Sequence, residues 1–563
     1  MKPVFLLSAL VLSHLLAKPF QLERGAFLNG GGQANPEEDL VLPESDPSGT
    51  DIVRFNNGDI IHGKFEGLEG GVKWSRPDID RALNIKLKNL TQVVFDGGRQ
   101  GNPELLKAHV SLVNGDEIPG EIVSLDAEYL LLKSPIAGEL KISRNHIKTL
   151  TPNPFDGQLK YAGPFTSDGW VMLDRKISKE VRKREAEEAG EKVEDEEEKK
   201  EPQPSWVYAG ASLYSSNFAP IVYDAQLPDV GRLRFKAAWK NRLYLSVAFH
   251  ADFTRPIPRE VIKKEPQPVV DAPEGEDGKK EEAEEELPPL EYESLFDQVE
   301  GKAFQSQEWL PESGGNSGPM VYGSSYLLTV SNNYPTLMRH TFEKDGTPKF
   351  VSLRGSRINV NLSSGASAEF DLRFDREKSL IYLYVNGQYA CQWNDLDGYA
   401  GKGGAIAFAA TNSNSQVKIS DIFVTSWSGT ADSANSMKHD ERDIALLTNG
   451  TDRFSGDTTA ITNGEAAFKG EFSEMKIPLA QLSEIHFKAN AQLKPDEIKW
   501  SDQLGVLLFN PVGRITLTPK SSTATQLKGH SAILGDITVD LSSAVLLNFA
   551  DGPDGLSDWI TDF

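Results

Sequence analysis

One stretch of this sequence is written more than once, and that limits the folds open to the chain. The segment from Asp51 to Gly97 recurs without a gap at a shift of 57 residues. The shift carries Asn57-Gly58-Asp59 onto Asn114-Gly115-Asp116, Ile85 onto Ile142, Leu90 onto Ile147 and Val93 onto Leu150. A shift of 392 residues carries Ile85, Leu87, Leu90, Val93 and Phe95 onto Ile477, Leu479, Leu482, Ile485 and Phe487. A fourth, more degenerate copy runs from about Gly505 and ends Val539, Leu541, Val545, Leu547, Phe549.

Each copy alternates apolar and polar residues around an Asn-Gly turn, which is the pattern of a β-hairpin. About 45 residues with five short strands suit a small SH3-like barrel, since closure removes the open edges of a sheet. A unit this small buries little surface and is marginal alone. The copies stand in neighbouring pairs, 51–97 with 98–154 and 443–491 with 496–552, so packing within those pairs is expected. Trp74 falls on a strand position facing the core and is expected to pack there.

Between the two pairs lies a region, 155–430, of a size that suits one β-sandwich. It carries two charged insertions, 176–204 and 256–290, with too few apolar residues to offset the entropy of ordering. Residues 18–50 read as a flexible leader and 553–563 as a tail. Period-two alternation runs through Phe370, Leu372 and Phe374, and no long amphipathic helix is evident outside the insertions. The fold class expected is all-β.

The run AEFDLRFDREKSLIYLYVNGQYACQW, Ala368 to Trp393, resembles the strand and hairpin of LamG-like domains in the concanavalin A-like lectin/glucanase superfamily. The run from Gly403 to Trp427 is similar to that family's closing strands. The resemblance is clear over about 70 residues and implies a concanavalin A-like sandwich. It does not select a function, because the superfamily includes lectins, hydrolases and structural modules.

With Asn386-Gly387 as a two-residue turn, Tyr384 faces Tyr389, Tyr382 faces Cys391, and Leu380 faces Trp393. Phe370, Leu372, Phe374, Ile381, Leu383 and Val385 then share the core face. Asp371, Arg373 and Asp375 share the opposite face with Tyr382, Tyr384, Tyr389 and Trp393. Rings beside a carboxylate and a guanidinium form a candidate glycan platform; burial under a loop or another domain is the alternative. A one-residue slip in register would undo the assignment.

Some glucanases of the superfamily carry Glu-x-Asp-x-x-Glu on one strand face, with two carboxylates as nucleophile and acid. Glu369-Phe370-Asp371 matches its start, but Arg373 or Phe374 stands where the second Glu belongs, and Asp375 is displaced. No catalytic residue is assigned. Asp395 and Asp397, in the oxygen-rich loop Asn394 to Gly398, are candidate calcium ligands, although such residues also make ordinary turns.

Residues 1–17 read as an export signal, with Lys2 before the apolar stretch Val4 to Leu16. The stretch is too short to span a bilayer, and no other segment approaches the required length. The single cysteine, Cys391, forms no internal disulfide. A net charge of −23 argues against nucleic acid. The expectation is an exported, non-catalytic binding or scaffold protein, periplasmic, secreted or at the cell surface, whose partner is a glycan or an envelope protein. A glycan-cleaving hydrolase and an architectural component of an envelope assembly are the alternatives.

Overall fold

The structure is a computed structural model. It describes residues 50–172, 205–256, 292–294 and 322–549, apart from short stretches inside those ranges. The signal, almost all of the leader, all of the first charged insertion, nearly all of the second and the tail lie outside the described residues.

The chain is all-β, as its alternation predicts. Each repeated segment forms five strands, the second of which is broken into Glu117–Pro119 and Glu121–Leu125 in copy 2. In the first copy these are Asp51–Phe55, Ile60–Glu69, Val72–Arg76, Ile79–Ile85 and Leu90–Val94, with a short 3-10 turn before the last. The first strand pairs with both the second and the last, the same in all four copies. These pairings put the copies on one scale. Val53, Val110, Ala445 and Leu507 are equivalent, opposite Val93, Leu150, Ile485 and Leu547. Trp74 is fully buried, as its strand position requires.

The copies do not associate as neighbours in sequence. The last strand of copy 1 pairs with the last strand of copy 4, Val93 opposite Leu547. The last strand of copy 2 pairs with that of copy 3, Leu150 opposite Ile485. Second strands also meet, Leu68 opposite Ser522 and Leu125 opposite Ile461. Equivalent residues therefore face one another at both points, so each unit is isologous, like a two-fold dimer within one chain. A further bridge, Glu117 opposite Arg514, joins copy 2 to copy 4. The order in space is 1–4–2–3, and one apolar cluster runs through all four copies. The expected pairing of 51–97 with 98–154 fails because the strand edges of copy 1 match those of copy 4 and bury the same apolar positions.

The region between the copy pairs is a sandwich of two antiparallel sheets. The larger runs in the order Trp206–Ala209, Ser212–Ser215, Val417–Ser426, Val230–Trp239, Ser367–Asp375, Leu380–Val385, Gln388–Asn394, and Leu159–Gly163 also pairs with Val417–Ser426. The smaller runs Val171–Met172, Ile221–Asp224, Ala405–Ala410, Tyr244–Ala251, Ser325–Ser331, Tyr334–Phe342, Pro348–Leu353. Leu233, Phe235, Phe370, Leu372 and Phe374 of the first sheet share a core with Leu245, Val247, Phe249 and Phe408 of the second. Phe235 and Phe370 stack at 5.3 Å between ring centres.

The hairpin turns at Asn386 and Gly387, with φ of 51° and 74°. That left-handed pair matches the twist of the strands it joins. Tyr384 faces Tyr389 as expected, but a bulge follows. Leu383 pairs with Cys391, Ile381 with Trp393, and Tyr382 with Gln392. The extra residue, Ala390, turns Cys391 and Trp393 onto the core face. Trp393 is therefore not part of the outer face to which the simple two-residue turn assigns it.

Candidate functional site

The strand Val230–Trp239 is central to the outer face of the large sheet. Leu233, Phe235 and Ala237 point into the core, so Arg232, Arg234 and Lys236 point outward. Its neighbours add Glu369, Asp371 and Arg373 on one side and Asp421 and Phe423 on the other. The Asp371 carboxylate accepts from Arg232 Nε at 2.8 Å and from Arg373 Nη2 at 3.0 Å. Burial pushes its carboxyl up, but the two guanidinium groups outweigh this and hold it below the usual carboxylate range.

Arg373 lies over the Tyr384 ring at 4.2 Å, and Tyr384 meets Tyr389 edge-on at 5.8 Å. Tyr382 packs edge-on against Trp427 at 5.7 Å. Tyr389 is half-buried, and its hydroxyl lies 3.2 Å from Ser356 Oγ. The structure thus brings together Asp371, Arg373, Tyr382, Tyr384 and Tyr389 and removes Trp393. The platform they form is closed: Tyr382 is 5% exposed, and Tyr384 and Asp371 are each 2% exposed. Groups this covered cannot present a ring face or a carboxylate to a sugar.

The repeated copies cover much of this sheet. Phe423, on its outer face, belongs to the apolar cluster of the copies rather than to the sandwich core. Glu484 of copy 3 lies in the field of Arg232 and Arg373 and receives His486 Nε2 at 2.8 Å. Burial alone would raise its carboxyl; His486 and the two arginines prevail and hold it well below the usual range. Glu117 of copy 2 lies in the field of Arg234 and Lys236. A cleft remains at the junction, enclosing about 570 Å³ with open solvent included. Arg234, Lys236, Glu369 and Asp421 line it from the sheet, Glu117 from copy 2 and Arg514 from copy 4. Its charges balance, and Lys236 is paired with Asp421 at 3.1 Å.

The candidate acids have structural partners. Asp375 is buried and accepts from the Lys378 backbone at 3.0 Å and its Nζ at 2.7 Å. Asp395 and Asp397 share Arg339, at 3.1 and 3.3 Å, and Tyr326 donates to Asp395 at 2.6 Å. Both candidate calcium ligands thus have a guanidinium partner. Among the described residues, no group of three His, Cys, Asp or Glu could hold a metal, and no helix is long and apolar enough to cross a membrane.

Sequence reading missed Arg232, Arg234, Lys236, Glu484 and Phe423. The first three carry a visible signal, because cations alternate with apolar residues along Val230–Trp239 and foretell a basic outer face. Glu484 carries none, since its role depends on which surface copy 3 meets.

No protein-family profile and no curated protein matches the chain. Solved structures similar to it include a carbohydrate binding module, CBM66, from Bacillus subtilis, at 7% identity and a TM-score of 0.22, covering 46% of this chain and 96% of that one. A protein with a galectin-like fold from Bacillus subtilis matches at 15% identity and a TM-score of 0.24, covering 48% and 96%. LamAcat from Zobellia galactanivorans matches at 8% identity and a TM-score of 0.24, covering 47% and 94%. Likenesses this distant assign neither a ligand nor a reaction to this chain.

Proposed function

We propose that this chain is an exported, non-catalytic scaffold protein, in which four repeated copies clamp a lectin-like sandwich and leave its remaining surfaces to a glycan or envelope-protein partner. One observation carries the reading. Asp371, the central acid of the large sheet, is buried between Arg232 and Arg373, with Glu484 of copy 3 beside them. Retaining and inverting glycosidases both need two carboxylates flanking an accessible bond. Here Asp371 is a counter-ion, and Asp375 is tied to Lys378. Export is supported by the sequence of residues 1–17.

The test is a reducing-end assay of the full-length protein on a panel of β-glucans, beside binding to the same glycans and to envelope extracts. The expected result is no sugar release and binding that Glu369→Gln leaves unchanged. Sugar release that Glu369→Gln abolishes without lowering the melting temperature would overturn the non-catalytic reading. N-terminal sequencing of the exported protein should begin close to Lys18, and a cytosolic product retaining Met1 would overturn export.

A further inference from the structure

The contact between copies 2 and 4 has a property that extends outside the chain. The second strands of the four copies begin at equivalent residues, Ile60, Glu117, Arg453 and Arg514, each opposite the same place on its own first strand. Glu117 and Arg514 pair with each other. Beside them Asp116, fully buried, accepts from the Thr516 backbone N–H at 3.0 Å and its hydroxyl at 2.6 Å. Arg514 lies 4.0 Å from the same carboxylate. An acidic residue on one edge thus meets an Arg-x-Thr on the other.

The same two half-sites recur at the ends of the array. Copy 1 carries Asp59 where copy 2 carries Asp116. Copy 3 carries Arg453 and Ser455 where copy 4 carries Arg514 and Thr516. Asp59 and Ser455 are exposed. Among the described residues, the strand pairings of 60–62 and of Phe454 and Ser455 are with the first strand of their own copy. The two-fold relation inside each unit fixes their direction. Rotating copy 4 onto copy 1 turns the edge that faced copy 2 outward, and rotating copy 2 onto copy 3 does the same. An exposed edge offers unpaired backbone donors and acceptors to another strand.

We propose that copy 1 of one molecule docks on copy 3 of the next, repeating between chains the contact made inside the chain by copies 2 and 4. The partner is a second copy of this chain, Asp59 takes the Ser455 backbone and hydroxyl donors, and Arg453 supplies the cation. The two edges differ, so the contact is heterologous and generates an open row or a ring rather than a closed dimer. The contact is independent of whether the sandwich binds a glycan.

The full-length double variant Asp59→Cys with Ser455→Cys tests this under mild oxidation. The native Cys391 is buried, and burial pushes its thiol up to about 12, so it stays out of the exchange. The expected result is a ladder of disulfide-linked dimers, trimers and higher species. A monomer only, or single-cysteine variants yielding as much dimer as the double, would overturn head-to-tail docking. Charge reversal checks the chemistry by sedimentation velocity. Asp59→Arg and Arg453→Asp should each weaken association by about fivefold to tenfold, and the combined variant should regain it. Equal association in all three, with unchanged melting, would overturn the proposed ion pair.

Discussion

Copies 1 and 4 form the same paired unit as copies 2 and 3, yet the outward faces of the two units share almost no chemistry. At equivalent places, copy 1 has Ile52 and Val94 and copy 2 has His109 and Thr151. Copy 4 has Leu546 where copy 3 has Glu484. The first unit therefore carries an apolar cluster of Ile52, Val94 and Leu546. At its edge, Gln92 fits so closely against the turn at Gly210 that a Cβ there would lie 2.9 Å from Gln92 Oε1. The second unit faces Arg232, Arg234 and Arg373 with Glu117, Glu484 and two histidines. Residues pointing into the copies set the pairing, which is alike in both units. Residues pointing outward were left to fit whatever each unit covers.

The largest effect expected from breaking this comparison is at the polar face. Asp371→Asn should cost about 3–5 kcal/mol, because removing one partner leaves buried guanidinium charge uncompensated. The melting temperature in low and high salt measures it. A loss below about 1 kcal/mol would mean that Glu484 suffices for both arginines.

At the apolar face, Ile52→Ala should cost about 2–5 kcal/mol through lost burial and a cavity, with little dependence on salt. Denaturant unfolding of the full chain reads the loss. A salt dependence matching that of Asp371→Asn would erase the distinction between the faces.

Acid should separate the units next. Burial lowers the His109 imidazole, against a smaller upward pull from Glu117. Its folded value lies below its unfolded value, so the stability tied to its neutral form is complete above the ordinary value of about 6.5. That stability is lost as the pH falls from there toward the folded value. Hydrogen-exchange protection, corrected for the slower intrinsic exchange in acid, should therefore fall at His109–Leu112 on acidification before it does at Asp51–Phe55. His109→Ile, which installs the side chain copy 1 holds at that place, should flatten the acid response. An unchanged acid limb would assign it to other groups.

The smallest effect is expected at the cleft. Glu369→Gln should change stability by no more than about 0.5 kcal/mol, as for most substitutions away from buried networks. A larger loss by thermal melting would show that Glu369 holds the sandwich to the copies.

The sequence by itself determined the all-β class, the four copies and their alignment, the place of Trp74 and the left-handed turn at Asn386-Gly387. These follow from side-chain period and local backbone preference, which neighbouring residues carry between them. Tertiary structure decided which copies pair, because strand edges separated by hundreds of residues look alike in sequence until one of them is covered. It also decided the bulge at Ala390, a single inserted residue that preserves the pattern on either side while moving Trp393 across the sheet. It also closed the Tyr384 face. Exposure belongs to no residue alone, and Asp371, Arg373 and Tyr384 have the chemistry of an open platform until Phe423 and Glu484 bring the copies onto the sheet beside them.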